Sequence, residues 1–314
     1  MTELAPPVIA TLDLTKSYGR HQALFGVNLQ VRAGEIFGFL GPNGAGKSTT
    51  IRILLDIIRR SGGGVEVFGL DPRTDGVRVR SRVGYLPGEL AMTSRRPARE
   101  FLTYLGHLRG GVDPRRIEAL AHRLDLDLSR PIRGLSKGNK QKVGLVQAFM
   151  HEPELLILDE PTSGLDPLLQ QEFQEMVREV RAAGRTVFMS SHVLSEVQDL
   201  ADRAAIIRDG RIVALEDMDA LRERALRRMT MTFADSHTLS QEEFAALDNV
   251  REVTLDGTAV SCLVEGSPDA LIKLAAQHTV LSLTSEEPDL EELFFTHYSN
   301  GTTEATEGQD QHAA

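Results

Sequence analysis

Two adjacent carboxylates, one lysine and one histidine carry the chemistry that this sequence can do. Lys47 closes the glycine-rich stretch Gly41-Pro42-Asn43-Gly44-Ala45-Gly46-Lys47-Ser48-Thr49, which follows the apolar run from Glu35 to Leu40 and precedes Ile51, Leu54 and Leu55 at helical spacing. A strand, a glycine-rich loop and a helix in that order form a phosphate cradle. Glycines at 41, 44 and 46 let backbone N–H groups turn inward around an anion, and the helix N-terminus adds partial positive charge. From there Lys47 reaches the β- and γ-phosphates of a nucleoside triphosphate, and the Ser48 hydroxyl is placed to ligate Mg²⁺. Leu155 to Leu158 reads as a fully buried strand that ends in Asp159 and Glu160. Two carboxylates at a buried strand end are costly in a plain core and suit a metal site. Asp159 is the right type to hold Mg²⁺, and Glu160, one residue further out, can polarise the water that attacks the γ-phosphorus. His192 ends a second apolar strand, Thr186 to Ser191, at the edge where a parallel sheet presents its ligand-binding groups.

Leu135-Ser136-Lys137-Gly138-Asn139-Lys140-Gln141 opens another helical pattern, with Val143, Val146 and Phe149 on roughly one face. Ser136 is a good N-cap. Its hydroxyl, the Gly138 N–H and the helix N-terminus point the same way, which makes a second γ-phosphate ligand set.

Taken in order, these motifs resemble the ATP-binding cassette (ABC) ATPases from about residue 8 to 226. Walker A is GPNGAGKST, including Asn43 and Thr49. The signature loop is LSKGN, Walker B is LLILDE, the D-loop is SGLD ending at Asp166, and the switch histidine is His192. Tyr18 lies where the family stacks an aromatic ring on adenine. The resemblance implies two cassettes bound head to tail, with Ser136 and Gly138 of one closing over the ATP on Walker A of the other. Both halves of the composite site look intact, which favours a homodimer. It also implies a separate integral membrane permease as partner, and a peripheral location on the cytoplasmic face of the cell membrane.

Two positions depart from the family pattern. Where a glutamine usually ligates Mg²⁺ after the Tyr85-Leu86-Pro87 strand, this chain has Gly88 and then Glu89. Either Glu89 substitutes from the next position or water completes the metal shell. In the signature loop Lys137 and Asn139 replace Gly and Gln, while Ser136 and Gly138 remain. Between about 89 and 134 lies a helical subdomain. Pro97 begins a helix carrying Phe101, Leu105 and Leu108 on one face, and Asp113-Pro114 begins another carrying Ile117, Leu120, Ala121 and Leu124. Nine arginines between 95 and 133 make this subdomain basic, which suits either anionic headgroups or a solvated helical surface.

Composition bounds the rest. The 314 residues, 41% hydrophobic and 25% charged, suffice for two globular domains. A single cysteine, Cys262, excludes a disulfide framework within the chain. No secretory signal or membrane-spanning run is evident. Residues 229–314 hold sixteen acidic side chains against two fixed cations, Arg251 and Lys273, whereas the residues before them are slightly basic. That break marks a second domain, over 229–300, whose acidity argues against nucleic-acid binding. Met229, Met231 and Phe233 alternate as in a strand, Ser240 to Glu243 reads as a capping box, and Asp256-Gly257 joins two strands as a hairpin. Ser267-Pro268 opens a helix, Leu281 and Leu283 mark a last strand, and Pro288 starts a closing helix with Leu290, Leu293 and Phe294. Residues 301–314 read as a disordered tail.

The expected fold is therefore α/β: a P-loop NTPase (RecA-like) ABC cassette over 1–228, with an antiparallel β subdomain and the helical subdomain. A small α+β ferredoxin-like domain of β-α-β-β-α-β order follows it. This ending resembles the accessory domain of ATPases serving two-component drug and antibiotic exporters. The expected function is ATP hydrolysis driving efflux through the permease, with ATP and Mg²⁺ as cofactors. Export of lipid or polysaccharide, and a soluble non-transport ABC ATPase, are the alternatives.

Overall fold

The computed structural model describes residues 6–224, 226–235 and 240–286. The chain divides into two compact units, with the division between Leu215 and Glu216. The charge break near 229 falls later. Arg222, Arg224, Arg227 and Arg228 belong in sequence to the first elements of the second unit, so its acidic character begins after its fold does.

The first unit opens with strands β1 (Ile9–Tyr18) and β2 (His21–Val31), followed by β3 (Ile36–Leu40), helix α1 (Lys47–Leu54) and β4 (Gly62–Val67). Strands β2, β1 and β4 form a three-stranded antiparallel sheet in that order. Next come α2 (Gly76–Ser81), β5 (Val83–Leu86), α3 (Ala98–Leu108), α4 (Pro114–Arg123) and α5 (Lys137–Phe149). The unit continues through β6 (Leu155–Asp159), α6 (Pro167–Ala182), β7 (Thr186–Ser191), α7 (Leu194–Gln198), β8 (Arg203–Arg208) and β9 (Arg211–Asp217).

Strands β5, β6, β7, β3, β8 and β9 lie in that order in one sheet, and the first five run parallel. Every residue of β3, β6 and β7 is buried, as expected of strands covered on both faces. Phe188 packs against Phe37 and Phe39 with ring centroids 5.8 and 5.4 Å away, which locks β7 to β3 through their side chains as well as their ladder. The consequence is local to function. The segments following β3, β6 and β7 all emerge from the same sheet edge, with Leu40 opposite Ser191 and Asp159 opposite Ser190.

The helical subdomain forms as expected at α4. The Asp113 side chain accepts a hydrogen bond from the N–H of Arg115, Pro114 occupies the first turn, and Ile117, Leu120, Ala121 and Leu124 are buried. Helix α3 departs from expectation. It buries Ala98, Leu102 and Gly106, while Phe101 and Leu105 are half-buried and Leu108 is exposed. Gly106 lets the loop that follows fold closely against the helix, since a Cβ there would lie 3.1 Å from Cβ of Val112. A reading weighted by side-chain bulk therefore selects the wrong stripe.

The second unit contains α8 (Met218–Arg224), β10 (Leu226–Phe233), α9 (Gln241–Ala245), β11 (Val250–Asp256), β12 (Ala259–Glu265), α10 (Asp269–Ala275) and β13 (Val280–Ser285). Its sheet is antiparallel with order β11-β12-β10-β13, the arrangement of a split β-α-β ferredoxin-like sandwich. Val260, Cys262 and Val264 are fully buried on one face of β12, beside Met229, Met231, Phe233 and Phe244. The expected capping box is corrected: the Ser240 side chain makes no cap hydrogen bond, and the turn closes through the backbone, Glu243 N–H to Ser240 C=O. The closing helix expected from Pro288, with Leu290, Leu293 and Phe294, lies outside the described residues, as does the tail from 301.

Candidate active site

The phosphate cradle is built on the backbone. Gly46 caps α1 with φ 113°, and Gly44 has φ 83°, both in the region that favours glycine. No side chain caps α1, so its first N–H groups are available to an anion. Gly41, Ala45 and Lys47 are buried, Ser48 and Thr49 half-buried, and Asn43 and Gly44 exposed. Lys47 Nζ donates to the carbonyls of Gly41 (2.5 Å) and Pro42 (3.3 Å). The ammonium is thus held at the mouth of the loop.

Glu160 joins the three strand ends into one cluster. Its Oε1 lies 3.2 Å from Lys47 Nζ but accepts no hydrogen bond, and its Oε2 lies 2.6 Å from Nδ1 of His192. An Nδ1–H donated to this carboxylate fits that spacing. Asp159, only 2% exposed, accepts a 2.6 Å hydrogen bond at Oδ1 from the Ser190 hydroxyl. Its Oδ2 faces Gly88, where a Cβ would stand 3.2 Å from that oxygen. The missing side chain leaves that carboxylate oxygen uncrowded on the Gly88 side. Tyr85, on the neighbouring strand, has its phenol pushed up to about 12 by burial first and the Asp159 charge second, so it stays protonated.

Residues Lys47, Asp159, Glu160 and His192 are therefore brought into one neighbourhood. Glu89 is exposed, and position 88 rather than 89 is the one that faces Asp159. Among the described residues no group of three His, Cys, Asp or Glu side chains could hold a metal ion without further ligands. The donor set suits Mg²⁺, a hard cation that takes one carboxylate, a hydroxyl, waters and substrate phosphates.

Tyr18 is 47% exposed at the tip of the β1–β2 hairpin, with Lys16 Nζ 4.6 Å from its ring centroid. Ser136 caps α5, accepting from the N–H of Asn139, and is exposed together with Lys137. Asp166 caps α6 by accepting from the N–H of Leu169, so its carboxylate works for its own helix. Neither Ser136 nor Asp166 contacts Lys47 in the described contacts of one chain.

Three supporting side chains have no role that the motifs assign. Ser190 accepts from the Glu160 N–H (3.1 Å) while donating to Asp159. Glu196 of α7 accepts from the hydroxyls of Thr162 (2.6 Å) and Ser191 (2.7 Å), which ties the turn after β6 to the strand end that bears His192. Gln141, 3% exposed on α5, donates to the carbonyls of Glu160 and Pro161. The available clues were two hydroxyls ending an apolar strand and a polar residue among the apolar positions of α5.

Comparison with known proteins agrees with this geometry. Residues 24–163 match the ABC transporter family. The chain is 33% identical over 303 residues to the bacitracin transport ATP-binding protein BcrA of Bacillus licheniformis, covering 94% of this chain and 98% of that protein. It is 30% identical to the linearmycin resistance ATP-binding protein LnrL of Bacillus subtilis, over 90% of this chain and 95% of the relative. A solved ATP-binding subunit of an ABC transporter superimposes with a TM-score of 0.64 at 31% identity, covering 68% of this chain and 92% of that one. This chain belongs to the ABC transporter ATP-binding proteins, the ATPases that bind and hydrolyse ATP through the cassette described above.

Proposed function

We propose that this chain is the ATPase subunit of an exporter that expels a drug-like or antibiotic small molecule through a separate membrane permease. The single observation that supports hydrolysis at this site is the convergence of Lys47, Glu160 and His192 on one sheet edge. The export reading rests on likeness over nearly the whole chain to proteins named for bacitracin transport and linearmycin resistance. Among the described residues no helix is long and apolar enough to cross a membrane. The membrane path is therefore assigned to a partner, and the chain to the cytoplasmic face beside it.

In this reading Lys47 exchanges its contact with Glu160 for the β- and γ-phosphates, and His192 turns to the γ-phosphate. The Glu160 carboxylate, released from both, accepts a proton from the attacking water. Ser48 and the open Oδ2 of Asp159 would hold Mg²⁺, which supplies charge neutralisation of the phosphates when bound. Gly41, Asn43, Gly44, Gly46 and Thr49 shape the loop around the phosphates, and Tyr18 offers its exposed ring to adenine. Ser136 and Gly138 project to the ATP of a second copy, so the working unit is a dimer with shared sites. Glu89 would reach the metal only by rearrangement of an exposed segment. The second unit is read as an accessory element of assembly, without a part in hydrolysis.

Co-expression of this chain with its co-purifying membrane protein in sensitive cells should raise the inhibitory concentration of bacitracin or linearmycin, the compounds for which its relatives are named. Lys47→Ala should abolish that protection. Unchanged sensitivity with an assembled, ATP-hydrolysing complex would remove the drug-export reading.

A further inference from the structure

Glu160 sits in an unusual backbone conformation. Its φ is 50°, a region that residues bearing a Cβ seldom occupy, and the proline that follows narrows its choices further. Such a conformation persists only where its surroundings over-determine it. On the amino side, the Glu160 N–H donates to the carbonyl of Ser190 (3.3 Å) and to its hydroxyl (3.1 Å). On the carboxyl side the restraint comes from a different element: the Gln141 amide donates to the Glu160 carbonyl (3.3 Å) and to the Pro161 carbonyl (2.9 Å). The Glu160 carbonyl also accepts from the Ser163 N–H within its own turn (3.2 Å), so the Gln141 amide adds a tie from a second element and joins that carbonyl to the Pro161 carbonyl.

Gln141 lies on α5, the helix that Ser136 caps. The start of that helix also packs against the far side of the same turn, because a Cβ at Gly138 would stand 2.7 Å from the Gly164 carbonyl oxygen. Helix α5 therefore grips the segment from Glu160 to Gly164 at both ends. A buried amide serving only as core filler needs partners, but it does not need the consecutive carbonyls of left-handed Glu160, which carries the reactive carboxylate, and of Pro161.

We propose that Gln141 is the positioning residue for Glu160. Its amide holds the left-handed peptide so that the carboxylate projects between Lys47 and His192. The same helix presents Ser136 to the nucleotide of a second copy, so engagement at that end and the aim of the base at this end are set by one rigid element. This inference rests on Glu160 being the base, and the experiment separates the two.

Gln141→Met keeps the length of the side chain and removes both donors. The full-length protein carrying it should bind MgATP within about twofold of the parent and keep its KM. Its kcat should fall roughly 10- to 100-fold, the scale expected when a reactive group loses its aim. Combined with Glu160→Gln, it should slow the residual hydrolysis by less than about twofold, since the group being positioned is already gone. Parental kcat in a folded Gln141→Met protein overturns the proposal, as does a full additional loss in the Glu160→Gln background, which would mark general damage. Near-parental hydrolysis by Glu160→Gln alone would instead remove the base assignment, whatever Gln141 does. Should thermal unfolding show that Gln141→Met does not fold, Gln141→Asn decides: it retains the amide but cannot span both carbonyls, and the same kcat loss is expected. Parental turnover by Gln141→Asn overturns the proposal.

Discussion

Replacing Ser190 by alanine removes one oxygen from the centre of the cluster, and its cost can be worked from the contacts. Ser190 is fully buried, and its hydroxyl makes two hydrogen bonds, a 2.6 Å donation to Asp159 Oδ1 and a 3.1 Å acceptance from the Glu160 N–H. The second bond is backed up, because that N–H also points at the Ser190 carbonyl at 3.3 Å. The first is not: Asp159 is 2% exposed, so water cannot easily take the place of the lost donor. A hydrogen bond to a charged group contributes about 1.5–3 kcal/mol, so a loss of roughly 2 kcal/mol is expected. In a unit of this size that corresponds to a fall in Tm of about 4–8 °C. Asp159 would also lose the partner that orients it, and disturbing such a partner typically weakens metal-dependent activity about 10- to 100-fold. Calorimetry of the free protein and an ATPase titration with Mg²⁺ read the two effects separately. A Tm within about 1 °C of the parent, together with superimposable Mg²⁺ curves, would refute the view that Ser190 holds Asp159.

Glu196→Ala should release Thr162 and Ser191 together, lowering kcat by about tenfold and stability by about 2 kcal/mol, with Glu196→Gln recovering most of the stability; steady-state kinetics beside thermal melts checks both. His151 should make the fold acid-sensitive. Burial, then the Arg109 and Arg116 charges, pull its imidazole down to about 4 from the ordinary 6.5, so it is neutral in the folded chain and protonation favours unfolding. Its contribution is complete above about pH 6.5 and lost as the pH falls toward 4. Urea unfolding of His151→Gln beside the parent should show a shallower decline between pH 6.5 and 4, and parallel declines would exclude the histidine as the cause.

The residues legible from sequence are those whose partners travel with them along the chain. Walker A carries its glycines, its lysine and its helix within one short stretch, and Asp159-Glu160 and His192 each end an apolar run, so strand, loop and role are read together. The sheet order then does the rest, since β6, β7 and β3 are neighbours. What sequence could not supply is contact across elements. Gln141 meets Glu160, Glu196 meets both Thr162 and Ser191, and Asp159 meets the bare backbone of Gly88, each through folding of separate segments. Helix α3 differs from its sequence pattern for a related reason. Packing against the rest of the unit buries the stripe Ala98, Leu102 and Gly106 and leaves Phe101 and Leu105 half-buried. An acidic residue beside a missing glutamine suggests Glu89 as its substitute. The backbone instead aims position 88 at Asp159 and leaves position 89 exposed.

In the proposed mechanism Glu160 activates water within a site completed by a second copy of the chain. Glu160→Gln tests it most directly, because the neutral amide preserves shape while removing the base. Sedimentation with MgATP, together with the nucleotide content of the sedimenting species, should show a dimer retaining two ATP molecules, and turnover should be reduced at least about 100-fold. A monomer that hydrolyses ATP at close to the parental rate would contradict both halves of the claim.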